Sequence, residues 1–317
     1  MNQEIYQNLS QRIGENHLRR RLTRQVESAA KFYAKGGFAS FHIENVELLP
    51  VVLKFLLKML FLYKRGAENA LDYRVEHVPV YIENLPPAFN GFRVLQLSDL
   101  HADGIADKGQ KLISILKHVK ADLCVLTGDF RFLTQDDYGP ALQRTKEIAR
   151  AVDAAYGQWG ILGNHDFIEF VPELEDAGIR MLLNETVTIT KNGSEIYLAG
   201  IDDAHLYDCH DISKANANIP DHASKILLSH TPETYSEAAE AGFDYIICGH
   251  THGGQICLPG GFPVMVNAKC PRRFCAGPWH YKGLQGYTSR ATGASALPVR
   301  FFCPPEITVH ELYRQEG

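Results

Sequence analysis

Five polar clusters end five apolar runs, and their order narrows the fold more than any other property of the chain. FRVLQLS leads into Asp99 and His101, and DLCVLTG into Asp129. WGILG leads into Asn164, His165 and Asp166, KILLS into His230, and DYIICG into His250 and His252. Short runs of Val, Ile and Leu bounded by turn formers read as buried strands. Helical stretches near 108–119, 140–155 and 232–241 separate them. Such alternation predicts an α/β domain whose polar groups lie at strand C-termini, where α/β sheets place ligands. Further strands are expected at 78–82, 180–184 and in TVTIT and EIYLAGI, a pair joined by a hairpin around Asn192-Gly193. Others are expected near 286–289, 299–302 and 307–312. With 45% hydrophobic residues over 317 positions the chain can bury a large core, which excludes a disordered or collagen-like protein.

Four histidines, two aspartates and an asparagine gathered at strand ends are a costly set of buried polar groups unless a cation compensates them. Mixed imidazole and carboxylate ligands suit Mn, Fe, Zn or Co, whereas Mg or Ca would favour oxygen alone. Seven ligands are too many for one tetrahedral ion. They suit two divalent ions, with Mn the leading candidate, about 3.5–4 Å apart across a shared carboxylate. That arrangement clamps the attacking and leaving oxygens of phosphoryl transfer.

The motifs Asp99-Leu100-His101, Gly128-Asp129, Gly163-Asn164-His165-Asp166, His230 and Gly249-His250-Thr251-His252 follow the pattern D-x-H, G-D, G-N-H-[D/E], H and G-H-x-H. In this the chain resembles the calcineurin-like metallophosphoesterase family over about residues 74–314. The resemblance implies a four-layer α/β/β/α sandwich with two metals at the sheet edges. It implies that Asp99, His101, Asp129 and His252 hold one ion and that Asp129, Asn164, His230 and His250 hold the other. His165 would face the phosphoryl group as charge stabiliser or general acid, with Asp166 orienting its ring, while a metal-bridging hydroxide attacks in line.

The 70 residues at the front carry eleven Lys/Arg against six Asp/Glu in a chain of net charge −5. A basic front on an acidic body suggests a local anionic partner such as a membrane surface, and the acidic body argues against nucleic acid. Leu9, Ile13, Leu18, Leu22, Val26, Ala29 and Tyr33 recur at helical spacing, with a stop expected at Gly36-Gly37. The segment 50–63, PVVLKFLLKMLFLY, is more apolar. At 100° per residue Lys54, Lys58 and Arg65 fall within about 40° of one another. Lysines near its middle argue against a membrane span and for a helix lying in the interface through residues 50–65. Packing on the body or on a second copy of the chain, as a homodimer, would cover the same face. The chain therefore divides into an amphipathic helical extension, 1–72, which associates with a membrane or a partner copy, and a metallophosphoesterase domain, 73–317.

Seven cysteines, an odd number with no C-x-x-C pair, exclude a full disulfide framework. The early arginines are not followed by an apolar signal segment, so a cytoplasmic protein, peripheral on the inner face of the membrane, is expected. Cys270, Cys275, Cys257 and His280 could form a small structural metal site, although ordinary buried thiols explain them better.

Gly128-Asp129-Phe130-Arg131-Phe132 lacks the G-D-x-V-D-R-G of the protein phosphatases. LPPAFNGFRVLQLSDLH, GHTHGGQICLP and PVRFFCPPEIT instead resemble the membrane-associated bacterial phosphodiesterases. Some of these cleave the pyrophosphate of UDP-2,3-diacylglucosamine in lipid A synthesis. Relatives often carry S-R-G where this chain has Ser289-Arg290-Ala291. The expected substrate is thus a phosphate ester or pyrophosphate on a lipid. Arg131 would contact its phosphate, and Phe167 and Phe170 would supply apolar walls. The alternatives are a soluble nucleotide-type phosphodiesterase and a non-catalytic scaffold of the same fold.

Overall fold

The computed structural model describes residues 1, 3–34, 48–134 and 137–315. Helices α1 (Gln3–Ile13), α2 (Glu15–Ala34), α3 (Leu48–Met59) and α4 (Tyr63–Asn69) come first. Strands β1 (Arg74–Ile82) and β2 (Phe92–Leu97) precede α5 (Gln110–Leu116), β3 (Leu123–Leu126), α6 (Gly139–Ala149), β4 (Gln158–Gly160), α7 (Val171–Asp176) and β5 (Ile179–Met181). The second half holds β6 (Glu185–Lys191), β7 (Ser194–Gly200), α8 (Ile212–Asn216), β8 (Lys225–Leu228), α9 (Tyr235–Glu240) and β9 (Tyr245–Cys248). It closes with β10 (Cys257–Leu258), β11 (Phe262–Pro263), β12 (Gly277–Tyr281), β13 (Leu284–Thr288) and β14 (Glu306–Arg314).

Two six-stranded sheets result, ordered β1-β14-β2-β3-β4-β5 and β12-β13-β9-β8-β7-β6. β2 to β5 run parallel, as do β13, β9, β8 and β7, so the polar clusters that follow β2, β3, β4, β8 and β9 emerge at strand C-termini. Successive side chains of a strand point to opposite faces, and here both faces are covered. Leu95, Leu97 and Leu126 meet the helices outside the first sheet, while Val94, Leu123 and Val125 meet Ile226, Leu228 and Ile247 between the sheets. Leu227 and Ile246 pack outward with Ile212, Ala238 and Phe243, near α8 and α9. The architecture is therefore the expected α/β/β/α sandwich. β6 and β7 form the expected hairpin, with Asn192 (φ 51°) and Gly193 (φ 77°) supplying the left-handed pair that a two-residue turn needs.

The expected strand at 299–302 does not form; Phe301 makes a single bridge to Ile256. β10 and β11 are too short to show alternation, and α7 and α8 too short to show a helical period, so nothing in the sequence announced them. Ala291, where relatives often carry glycine, sits at φ 70°, a left-handed position that glycine takes without strain.

The front helices diverge from expectation. Gly14 (φ 92°) divides the first amphipathic stretch into α1 and α2. Leu9, Ile13 and Leu18 are buried in the same core as Leu95 and Leu126, so packing crosses the boundary drawn at residue 72. Among the described side chains of α2 beyond Leu18, Arg21 and Gln25 are buried, whereas Val26 is 67% exposed. The expected stop at Gly36-Gly37 lies outside the described residues. α3 ends at Met59, and Phe61 (φ 59°) turns the chain, so Arg65 lies on α4 and leaves the lysine stripe. Lys54 and Lys58 lie over the Tyr63 ring at 5.8 and 5.7 Å. Among the described side chains of α3, Leu57 and Leu53 seat it on the body, against Leu297, Val299 and Phe301. Among the described residues no helix is long and apolar enough to cross a membrane.

Candidate metal centre

The loops after β2, β3 and β4 from one sheet and β8 and β9 from the other bring their polar residues together. Asp99, His101 and His252 present ligand atoms within 4.8 Å of one another, and so do Asp129, His230 and His250. All six are buried. Asp129 lies between the groups, with its Oδ2 3.8 Å from His101 Nε2 and 3.5 Å from His230 Nε2. Asn164 Oδ1 joins the second group 2.9 Å from His230 Nε2. His165 belongs to neither; its Nε2 stands 4.0 Å from Asp129 Oδ2 and its backbone N–H donates to Asp129 Oδ1.

Backbone conformation makes this convergence feasible. Asp99, His101, Asp129, His250 and His252 all take φ between 41° and 71°, a region that costs a side-chain-bearing residue about 1–2 kcal/mol. Strain gathered at one place marks a site held by its surroundings. Gly249 is required by close approach, because a Cβ there would collide with Ser98 Oγ and Asp99 Oδ2. With glycine in place, the Asp99 carboxylate lies against this turn and accepts the His250 N–H.

The donor set fits divalent cations. His101 Nδ1 and His230 Nδ1 donate to the carbonyls of Arg131 and Thr127 at 2.7 and 2.8 Å, which leaves each Nε2 lone pair facing the centre. His250 is reversed: its Nε2 donates to the Asn267 carbonyl, leaving Nδ1 as the ligand atom. His101 Nε2 and His252 Nε2 are 3.2 Å apart. Two metal–nitrogen bonds of about 2.1 Å at that spacing subtend roughly 100°, between the octahedral and tetrahedral angles.

Burial and neighbouring charge set the electrostatics of these groups. Burial pushes Asp99 up to about 7, with Asp129 adding repulsion against the attraction of His230. Burial also acts on Asp129, but His230 and His165 outweigh it and hold the carboxyl well below its usual range. His230 is held well above the usual imidazole range, because Asp129 and Asp99 overcome its burial. Two carboxylates in one dry site are pushed apart in this way.

Not every expected role matches the side chain's place. The Asp166 carboxylate accepts N–H bonds from Asp129, Phe130 and Gly163 at 2.7–2.9 Å, so it ties two ligand loops together where it was expected to orient His165. Phe170 is a core residue packed edge-on against Phe130 and Tyr138, away from any substrate surface. Phe167 is half-buried with the Arg131 guanidinium 5.2 Å from its ring, and Arg131 itself is buried. Cys270 and Cys275 approach to 3.7 Å, but the two groups above are the only convergent ligand sets among the described residues.

Other supports escaped the sequence reading. Tyr245 Oη, His310, Gln96, Thr127 and Ser98 form a buried chain of hydrogen bonds between the sheets that ends on Asp99 Oδ2. Burial pushes His310 down to about 3, so this chain is neutral. His205 lies tilted against the His250 ring, with centroids 4.1 Å apart, and is held by Glu233 at 3.0 Å. No motif flags these residues; only the preceding apolar strands hint at their place.

The chain matches the calcineurin-like phosphoesterase family over residues 92–254, just over half its length. It is similar to the uncharacterized metallophosphoesterase YkoQ of Bacillus subtilis, with 28% identity over 82% of this chain and 97% of that one. It is 27% identical to the phosphodiesterase YaeI of Escherichia coli over 70% of this chain and 82% of that one. A transmembrane protein with a metallophosphoesterase domain from Danio rerio is 27% identical over 92% of this chain and 67% of its own length. The topology, the two convergent ligand groups and this match agree, and the chain belongs to the calcineurin-like phosphoesterase family of metal-dependent phosphoester hydrolases.

Proposed function

We propose that the protein is a two-metal phosphodiesterase or pyrophosphohydrolase acting on a membrane-borne substrate. Asp99, His101, Asp129 and His252 would hold one ion and Asp129, Asn164, His230 and His250 the other, with Mn the leading candidate. Bound there, two cations lower the pKa of an attacking water and neutralise the charge on the phosphoryl oxygens. The chain's own part is positional. Asp166 locks the Asp129 and Gly163 loops, and His165, outside both ligand groups but facing them, donates a proton to the leaving oxygen as the P–O bond breaks.

One observation carries the substrate reading. A cavity of about 360 Å³ runs from His250 and His252 to Leu53 of α3, walled by Ile256, Val264 and Met265. Its α3 rim continues into exposed Val51, Phe55, Leu56, Met59 and Leu60, ending at Phe61, which is 92% exposed. Lys54 and Lys58 flank this face, as on a helix lying on anionic headgroups. The seven unpaired thiols suit the inner, reducing side of a membrane. The apolar wall expected at Phe167 and Phe170 is therefore assigned to α3 and the 262–267 loop. An acylated nucleotide-sugar pyrophosphate such as UDP-2,3-diacylglucosamine suits both ends of this cavity.

The test compares kcat/KM for that lipid in micelles with kcat/KM for a soluble chromogenic phosphodiester, each with Mn and with chelator. A preference of at least about 10²-fold for the lipid is expected. Equal or better turnover of the soluble ester would replace this reading with the nucleotide-type one, and a dimer buried through α3 would remove the membrane. Asp129→Asn should abolish metal loading and turnover together. His165→Ala should keep both metals and lose about 10²–10⁴-fold in kcat; wild-type kcat in that variant would end its assignment.

A further inference from the structure

Helix α2 reaches the catalytic loops with a side chain that no motif marks. Arg21 is fully buried, and each face of its guanidinium fork is engaged. One terminal nitrogen donates to the Asp166 carbonyl at 2.7 Å, the other lies 3.3 Å from Asp202 Oδ1, and Nε donates to Gln25 Oε1 at 3.0 Å. The plane stacks on Tyr207 at 3.8 Å. Gln25 accepts the Ile168 N–H at 2.9 Å and donates to Glu169, while His17 pairs with the second oxygen of Asp202. Asp166 and Ile168 belong to the loop after β4 that carries Asn164 and His165. Asp202 and Tyr207 belong to the loop after β7 of the other sheet. One arginine thus ties the sheets together beside the site.

Burying a guanidinium this completely is expensive, and here it is compensated by hydrogen bonds from Nε and one terminal nitrogen and by the ion pair of the other with Asp202. Well-packed apolar residues in place of the whole Arg21–Asp202 pair would hold these loops at least as firmly, so stability alone does not account for the choice. The link to chemistry is short: Arg21 holds the Asp166 carbonyl, the Asp166 carboxylate holds the Asp129 and Phe130 N–H groups, and His165 donates its N–H to Asp129.

We propose that Arg21, assisted by Gln25, is a positioning residue that sets the 163–168 loop, so that the front helix is part of the catalytic unit. Its effect on rate rests on the reading of His165 as leaving-group acid. A misplacement of about 1 Å costs on the order of 10²-fold in rate.

The experiment uses the full, Mn-loaded chain with Arg21→Met and Arg21→Lys, assayed on an alkyl phosphodiester and on a p-nitrophenyl phosphodiester whose leaving group needs no proton. Hydrogen exchange of the metal-free protein supplies a readout independent of activity. Arg21→Met should lose about 10²-fold in kcat on the alkyl ester, and at least tenfold less on the p-nitrophenyl ester, with KM and bound metal nearly unchanged. Exchange should quicken at amides 163–168 and not in β8 or β9, and Arg21→Lys should restore part of both. An unchanged kcat and unchanged loop exchange would overturn the proposal. So would an equal loss on both esters accompanied by uniformly faster exchange, which is the signature of general destabilisation. If Arg21→Met does not fold, Gln25→Ala decides by the same readouts: faster exchange at Ile168 with a several-fold loss of kcat supports the brace, and neither change overturns it. His165→Ala with wild-type kcat alongside a locally loosened Arg21→Met loop would fail the acid assignment and leave the brace standing.

Discussion

Helices α2 and α3 stand in the opposite relation to what their compositions suggest. α2 contains Arg19-Arg20-Arg21 and Arg24, yet it is seated in the domain and buries an arginine. α3 is almost wholly apolar, yet Val51, Phe55, Leu56 and Met59 face outward. Burial depends on whether a complementary surface exists. The domain offers α2 the carboxylate of Asp202, the carbonyl of Asp166 and an apolar seat for Leu18. Among the described residues it offers α3 a narrow seat of Leu297, Val299, Ile256 and Phe301. Hydrophobic surface left exposed on this helix is what the proposed membrane contact would cover.

Four measurements would break or sharpen that contrast. Leu18→Ala should cost about 2–5 kcal/mol in denaturant unfolding, because α2 shares the domain core; a change below about 0.5 kcal/mol would make α2 an appendage after all. Phe55→Ser combined with Leu56→Ser should leave unfolding within about 0.5 kcal/mol of the parent while weakening binding to anionic vesicles by at least about tenfold. Large destabilisation there would mean that α3 packs internally. Replacing Lys54 and Lys58 by glutamate should weaken vesicle binding by about 1 kcal/mol per lysine, an effect that salt erases. The smallest effect concerns acid. Burial would raise Asp202, but Arg21 and His17 outweigh it and hold its carboxyl below the usual 3.8. A depressed carboxyl contributes stability that is complete above the unfolded value and is lost as pH falls through the folded value. Acid should therefore release α2 in the wild type, and Asp202→Asn should flatten this limb of the stability curve below about pH 4, whereas α3, which has no such pair, should show no acid limb of its own.

Much of the site was legible because its chemistry leaves a local signature. A strand of three or four residues followed by Gly-Asp, Asn-His or His-x-His places each candidate ligand without knowledge of the rest, and the alternation of Val94, Leu95, Val125 and Leu126 shows that both sheet faces are covered. The Asn192-Gly193 turn fixed the β6–β7 register in the same local way. Longer-range partners were illegible. Asp166 reads like a partner of its neighbour His165, yet its carboxylate is claimed by three backbone N–H groups, two of them from a loop 36–37 positions away in sequence. Phe170 reads as an exposed aromatic after a catalytic motif, but a one-turn helix rotates it into the core beside Phe130.

The sequence by itself determined the α/β class, the parallel runs that end in ligands and the types of donor that a pair of divalent ions requires, since strand period and ligand chemistry are properties of neighbouring residues. Tertiary structure alone decided which ring nitrogen faces the centre, that five of its residues hold left-handed backbone, that the basic helix closes the domain and that the apolar one remains open to solvent. Those outcomes depend on surfaces brought together from distant parts of the chain, where a buried charge is tolerated only beside its partner and an apolar face is covered only where the opposing shape allows.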